Sequence, residues 1–383
     1  MTEYYASKMR AVNYAVLQAN STEGMSMEKK TMKALVVYGK DDYRFEPEFP
    51  IPECGPDDIL LKTEGCGVCA SDVKCWHGAE SYWGGANKEP WVKTPFIPGH
   101  EFLGVVSEVG ANVREYAVGD RLTVEQIAPC GECRFCKDGH YWMCQPHYIY
   151  GYFTDYCGAM AEYVRIPTKH ARIHRVPKTL PLRSALLIEP YGCSKHCVDR
   201  AQITENDIVV ISGAGTLGLG MITYAATKKP KKLIVLDLQE NRLAKALDFG
   251  ADLAWNPAKE DVVKNIMDMT EGYGCDIYIE CSGHPSSVVQ GMSMIRKLGR
   301  FVEFSVFGEP TTLDWSIIGD KKELDVLGSH LSPNCYPYVI ENMASGVLKT
   351  AGVVTKTFPL EEWETAFDYA TGKYGNIKVA ITF

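Results

Sequence analysis

The stretch "VVISGAGTLGLG", Val209–Gly220, decides how the second half of the chain folds. "DIVVISGAG" reads as a buried apolar strand, and "TLGLGMITYAATKK" as a helix that starts directly after it. Between them Gly213, Gly215 and Gly218 stand in the order G-x-G-x-x-G, which is informative only in such a strand-to-helix context. The first glycine permits a tight turn, the second lets backbone approach a pyrophosphate, and the third lets helix and strand pack closely. Thr216 and Leu217 complete the turn, so the phosphates would lie at the positive end of the helix. Asp237 ends the next strand, "KLIVLD", about the 20 residues on at which such sites carry an acid. Its carboxylate can bond both ribose hydroxyls and would repel a 2′-phosphate, so NAD is expected rather than NADP. Arg242 could soften that preference from the cofactor side, but its place in the following helix is read as the solvent face. A glycine-rich core turn is the competing interpretation, and it requires strand, helix and acid to coincide by chance.

Downstream, "KLIVLDL", "QENRLAKALDFGA", "CDIYIECSG", "SSVVQGMSMIRKLG" and "GRFVEFSV" continue the alternation of strands and amphipathic helices. That alternation predicts an α/β unit with a doubly wound parallel sheet covered on both faces. Upstream the style differs. "MKALVVYG", "DDILLKTEGCGVC", "EFLGVVSEVG", "VGDRLTV" and "AMAEYVRIP" are short β-rich runs broken by Gly, Pro and Asp, which predicts a β-rich first half. The tail from Pro333 ends in another strand, "NIKVAITF".

With 383 residues, 46% hydrophobic and 23% charged, the chain has ordinary globular composition and room for two domains. A net charge of −8 argues against nucleic acid as a partner, because neutralising phosphates needs a basic surface. No apolar run approaches the length that spans a bilayer, so no membrane partner is expected. The opening thirty residues lack both an apolar signal core and an arginine-rich, acid-poor pattern, and are read as a tail outside the main fold. Fourteen cysteines, four of them clustered, suggest metal ligands and buried small hydrophobes in a reduced, cytoplasmic protein.

"PCGECRFCKDGHYWMC" places Cys130, Cys133, Cys136 and Cys144 with two, two and seven residues between them. Four closely spaced thiolates can wrap one tetrahedral zinc in a closed, structural site, an iron–sulfur cluster being the main competing occupant. A second site has to be assembled from distant segments: Cys69 in "GVCASDVKCWHG", His100 and Glu101 in "IPGHEFLGVV", and Glu189 in "LLIEPYGC". Such a Cys/His/carboxylate set leaves room for water or substrate, as a catalytic zinc requires. Adjacent residues on a regular strand face opposite ways, so His100 and Glu101 can share an ion only if the backbone there is irregular. The preceding Pro98–Gly99 permits that.

Taken together, "GVCASD", "PGHEFLGVVSEVG", "VGDRLTV", the four-cysteine lobe, "AEYV", "EPYG", "GAGTLGLG" and "NIKVAITF" resemble the zinc-dependent medium-chain dehydrogenases, the superfamily of alcohol, sorbitol and threonine dehydrogenases. The resemblance runs from Met32 to Phe383. It implies a GroES-like β-rich catalytic domain over 31–190 with the structural zinc lobe, and a Rossmann coenzyme domain over 191–332. It further implies that 333–383 returns to the catalytic domain, with 1–30 as an extension. By motif, Cys69, His100 and Glu101 fall on catalytic zinc positions. Glu189 falls where polyol dehydrogenases carry a glutamate, and which of Glu101 and Glu189 binds directly is left open. The implied reaction oxidises a secondary alcohol to a ketone, with zinc polarising the substrate oxygen and NAD taking the hydride. Ser71 matches the hydroxyl that meets the substrate oxygen, and Asp72 a residue that supports the metal site. A homodimer or homotetramer is implied by resemblance alone.

One departure stands out. Many members carry a proton-delivering histidine three residues after Ser71, and this chain has Lys74. A lysine accepts a proton only if its pKa is depressed. The relay is therefore expected to run through water or ribose hydroxyls, with Lys74 touching cofactor or substrate. His77 and Cys75 are read as bystanders, and His196 as helix packing near the cleft. Trp76, Tyr82, Trp83 and Trp91, mixed with polar groups, suit either a polyhydroxylated substrate whose C–H faces stack while its hydroxyls pair, or a surface loop held by a few anchoring aromatics. His330, Ser332 and Asn334 occupy the area where some sorbitol-type enzymes carry arginine, which points away from sorbitol itself. The expected substrate is a polyol, cyclitol or sugar derivative, with L-threonine or a simple secondary alcohol as alternatives. A retired member that keeps zinc and NAD only for binding or sensing is opposed by intact Cys69, Ser71, His100 and Glu189.

Overall fold

The computed structural model describes residues 30–383, so the expected extension over 1–30 lies, Lys30 apart, outside the described residues. The first half is built from β1 (Thr31–Gly39), β2 (Asp42–Pro50), β3 (Asp58–Val68), β4 (Glu101–Val109) and β5 (Arg121–Val124), followed by β6 (Ile127–Ala128), β7 (Tyr148–Ile149), β8 (Tyr163–Pro167) and β9 (Ile173–Arg175). A seven-residue helix, α1 (Ala70–Trp76), leaves the end of β3. β6 pairs with β7 and closes the base of the loop that holds the four clustered cysteines. The core of this part is made by inward residues of several strands, among them Leu35, Ile59, Leu61, Val106, Leu122 and Val124.

α2 (Ile188–Ala201) leads into the second part. There β10 (Ile208–Ser212), β11 (Lys232–Leu236), β12 (Leu253–Trp255), β13 (Cys275–Glu280), β14 (Ile295–Glu303) and β15 (Asp325–Gly328) alternate with α3 (Thr216–Thr227), α4 (Glu240–Phe249), α5 (Val262–Met269) and α6 (Pro285–Met294). The strand order is β12-β11-β10-β13-β14-β15 and every pairing is parallel. Order reverses beside β10, the point at which such sheets open a crevice for a ligand. Val209 and Ile211 pack on one face of β10 and Val210 on the other, each against a separate layer of buried residues, so the apolar run is explained by burial on both sides.

The chain then forms α7 (Tyr336–Ala344), β16 (Val354–Phe358), α8 (Trp363–Ala370) and β17 (Lys378–Thr382). β17 pairs antiparallel with β3, with Ala380 opposite Gly67, and on its other edge runs parallel to β16. The first sheet thus has the order β16-β17-β3-β4-β5-β9, with β8 also on β3. α8 adds Trp363, Ala366 and Phe367 to the core of the first half, whereas Tyr336 and Val339 of α7 pack with the second.

β17 also delivers a charge into the interior. Lys378 is only 4% exposed. Its ammonium donates to the Val68 carbonyl at 3.0 Å and pairs with Glu101, the first residue of β4. Burial pulls the lysine pKa down, but Glu101 and Cys69 outweigh it and the net shift is upward. Gly67 lies beneath this pair. A Cβ there would come within 2.2 Å of the Glu101 carboxylate and 2.8 Å of the Lys378 side chain, so the strand needs glycine at that point. Breaking a buried pair leaves an uncompensated charge. Lys378→Met is therefore expected to cost about 3–5 kcal/mol of stability, read as a lowered midpoint in urea unfolding.

Candidate active site

Cys69 is the N-cap residue of α1, where its backbone N–H donates to Asp72 Oδ2 at 2.9 Å. This capping contact sets the direction in which the loop and its thiol leave β3. Asp72 is fully enclosed, and its other oxygen lies 3.7 Å from His100 Nδ1. Gly99 has φ +96°, a left-handed conformation, and a Cβ there would lie 2.5 Å from the Cys66 sulfur. That turn puts His100 just outside β4, so His100 and Glu101 are both buried on the same side although adjacent in sequence. The ligand atoms of Cys69, His100 and Glu101 all lie within 4.8 Å of one another.

Glu189, in the first turn of α2, stands outside this three-residue set. Its Oε1 accepts from Gln126 Nε2 at 2.5 Å and from the Cys193 thiol at 3.4 Å. Burial, reinforced by Glu101, pushes Glu189 up to about 7. Burial alone would lower the pKa of His100, but Asp72, Cys69 and Glu189 together lift it to about 10. Among the described residues His100 Nδ1 has no hydrogen-bond partner. A buried imidazole crowded by acids, with sulfur, nitrogen and oxygen donors converging, fits a borderline-soft divalent cation such as zinc.

The four-cysteine lobe offers a second donor set. All four sulfurs lie within 4.8 Å of one another, and Cys130 and Cys136 are 4.0 Å apart, close to the roughly 3.8 Å edge of a tetrahedral zinc–thiolate site. Backbone N–H groups point at the sulfurs: Glu132 and Cys133 donate to Cys130, Gln145 to Cys133, and Cys130 to Cys144. The Gln145 amide, followed by that of Cys136, draws Cys133 down to about 6, favouring the thiolate that a metal needs.

Ser71, in the first turn of α1, is reached by a residue that no motif pointed to. Tyr152 donates from its hydroxyl to Ser71 Oγ at 2.9 Å and lies 3.4 Å from Asp72 Oδ1. Burial, then Asp72, pushes the phenol pKa well up, so Tyr152 stays protonated and donating. Tyr82 and Trp91 both pack on the Tyr152 ring, whereas Trp76 turns away to Trp363 and Phe367 and Trp83 bonds the Cys75 carbonyl. Lys74 reaches neither Ser71 nor a ligand residue: its ammonium donates to the Val306 carbonyl at 2.7 Å.

At the glycine turn, Gly213 has φ +108°, and a Cβ on Gly218 would sit 2.0 Å from the Gly213 carbonyl. Above Gly215 the space is open, with Arg242 the nearest group at 3.8 Å. Thr216 and Leu217 form the first turn of α3, and the Thr216 hydroxyl donates to the Ile377 carbonyl at 3.0 Å. Asp237 follows β11 and accepts from the Ala214 and Gln239 amides at 2.7 and 2.8 Å. Arg242 is not on the solvent face, as its helical position suggested. Its side chain is 19% exposed, lies 4.0 Å from Asp237 and donates to the Asn376 carbonyl at 3.2 Å, because the C-terminal segment covers that side of α4. Further along the same sheet edge, Trp142, His196, Glu303, Val306, Ser329 and His330 line a cavity of about 510 Å³.

Two family models match the chain: the alcohol dehydrogenase GroES-like domain over residues 55–178, and the zinc-binding dehydrogenase domain over 216–345. The chain belongs to the zinc-dependent medium-chain dehydrogenase family. Among its dehydrogenase relatives, the erythritol/L-threitol dehydrogenase of Mycolicibacterium smegmatis is 47% identical, covering 91% of this chain and 97% of the relative. The D-arabitol-phosphate dehydrogenase of Enterococcus avium is 34% identical over 88% of this chain and 94% of its own. A zinc-binding dehydrogenase from Sinorhizobium meliloti, solved with NADP, superposes with a TM-score of 0.83 at 29% identity, covering 92% of this chain and 99% of that one.

Within this dehydrogenase, sequence reasoning missed Tyr152, Gln126 and Lys378. Gln126 carried a faint signal, since it follows Glu125 inside the apolar run "LTVEQIA"; a polar pair there has to be buried and partnered. Tyr152 and Lys378 carried none, because each meets its partner across a contact distant in sequence. The proton balance at Glu189 has a measurable consequence. Below about pH 7 its proton must leave before the carboxylate can meet a cation, while His100, near 10, adds the same slope on both sides of 7. Zinc affinity is expected to gain an extra factor of roughly tenfold per pH unit below 7, levelling above it. Glu189→Gln should remove that step in a zinc-competition titration.

Proposed function

We propose that this dehydrogenase oxidises one secondary hydroxyl of a short polyol to a ketone, a tetritol such as erythritol or L-threitol being the leading substrate. The observation that carries the reading is the converging Cys69–His100–Glu101 cluster, its His and Glu buried, beside a serine hydroxyl held by Tyr152. Cys69, His100 and Glu101 would hold the catalytic zinc, with Glu189 as the neighbouring carboxylate, and Cys130, Cys133, Cys136 and Cys144 a structural one. At the first site zinc supplies Lewis-acid activation of the alcohol oxygen. The turn of Gly213, Gly215, Thr216, Leu217 and Gly218, with Asp237, would hold NAD, the acceptor of the carbinol hydride. Asp237 sits buried where a 2′-phosphate would meet its charge, which favours NAD, and Arg242 beside it tempers that repulsion.

Ser71 Oγ would accept the hydroxyl proton of the substrate while passing its own proton on to solvent water. Tyr152 fixes that oxygen by donating to it and cannot carry the proton away, because its pKa is too high and its ring is enclosed. Tyr82, Trp91 and Tyr152 give the substrate side an aromatic wall with hydroxyl groups, suited to a carbon chain carrying several hydroxyls. Residues 31–190 and 333–383 would form the catalytic part, and 191–332 the coenzyme part. The outer edge of β15 is unpaired among the described residues, and pairing there with a second copy would give a homo-oligomer. No helix among the described residues is long and apolar enough to cross a membrane, and fourteen free cysteines suit a reducing cytoplasm.

Reduction of NAD by the zinc-loaded chain should be measured on erythritol, L-threitol, sorbitol, D-arabitol phosphate and L-threonine. A tetritol is expected to give the highest kcat/KM, and a preference for L-threonine would sink the polyol reading. Cys69→Ser should bind one zinc instead of two and lose about 10³-fold in kcat, while Cys130→Ser loses the other zinc.

A further inference from the structure

Lys74 lies on α1, three residues after Ser71, and its ammonium crosses to the other sheet. The Val306 carbonyl it meets at 2.7 Å is 232 residues away and belongs to the stretch that follows β14. That stretch lines the 510 Å³ cavity along the edge of the parallel sheet, together with Phe304 and Ser305. It is held by little else. Phe304 donates its amide to the Glu280 carbonyl. Neither Ser305 nor Val306 makes a backbone–backbone hydrogen bond among the described residues, and the Val306 side chain is 67% exposed.

We propose that Lys74 is a positioning residue, which fixes the Phe304–Val306 loop against the Ser71 helix so that the nicotinamide end of the cofactor is held facing Ser71, and that it takes no part in moving the substrate proton. This rests on the reading above that NAD runs along this sheet edge. The partner itself argues against a relay, because a peptide carbonyl accepts a hydrogen bond but neither takes up nor delivers a proton near neutral pH. Length argues for a clamp: four methylenes carry the lysine nitrogen across the mouth, and the shorter imidazole of histidine would leave the Val306 carbonyl without its donor. Burial of the ammonium stem is partial, so the contact can open and close as cofactor enters and leaves.

The test uses the full-length, zinc-loaded chain with Lys74→Met, Lys74→His and Lys74→Arg. NADH affinity is read by fluorescence titration, which needs no alcohol, and kcat is followed against pH. If the loop must be closed to hold the cofactor, losing a charged donor lowers the competent fraction. Lys74→Met and Lys74→His are then expected to bind NADH roughly tenfold more weakly, Lys74→Arg within about twofold of the parent. The apparent pKa in the kcat profile of Lys74→Met should stay where the parent has it. Unchanged NADH affinity in Lys74→Met, or a kcat profile that loses its ionisation, overturns the proposal. Should no polyol be turned over by the parent, the substrate reading fails, while the NADH titration still decides the role of Lys74.

Discussion

The buried pair of Lys378 and Glu101 is the contact on which the arrangement of the site depends. Taking both charges out of water is costly, and their attraction compensates only when the geometry is held from both sides. Here β17 supplies the lysine, β4 the glutamate, and β3 passes between them with a glycine where any side chain would collide. The last strand of the chain therefore does more than close a sheet. It brings a buried ammonium into a pocket that gathers Cys69, Asp72, His100, Glu101 and Glu189, and so offsets part of the negative charge in that interior.

Around that pair the electrostatics are arranged for a cation. Acids crowd His100 strongly enough to overcome burial, while at Glu189 burial and Glu101 outweigh His100 and Lys378 and drive the carboxyl toward neutrality. The two metal-type sites differ in how they are built. The four-cysteine lobe is local: one loop of fifteen residues supplies the sulfurs and its own amides supply the hydrogen bonds. The other site draws on the end of β3, the turn before β4 and the start of α2, and exists only when the sheet and helix have packed. Lys74 and Tyr152 show the same dependence. Each is defined by its partner, a carbonyl in one case and the Ser71 hydroxyl in the other, and neither partner is near in sequence.

Much of this was legible beforehand. The strand–glycine turn–helix at Val209–Gly220, the parallel sheet after it and the β-rich half before it all follow from periodicity and turn residues, which act over a few positions. The irregular backbone needed at Pro98–Gly99 was deducible because His100 and Glu101 could not otherwise share a face. Arg242 was misplaced for an instructive reason. Its position on α4 is outward-facing for an isolated helix, but the residues near Asn376 fold over that side and leave the arginine half-buried. Of the aromatic run before His100, spacing could not say that Tyr82 and Trp91 face Tyr152 while Trp76 joins the core with α8.

By itself, then, the amino-acid sequence determined the secondary-structure plan, the spacing of the four-cysteine lobe, the glycine turn after β10 and the candidate donors Cys69, His100, Glu101 and Glu189. These are properties of short segments, set by backbone sterics, alternation and the reach of neighbouring side chains. Only the tertiary structure decided which donors converge, that Lys378 balances them, that Tyr152 holds Ser71, and that Lys74 spans to Val306. Those are contacts between residues tens to hundreds of positions apart, and an ion pair or hydrogen bond of a few ångströms leaves no periodic trace in the chain that makes it.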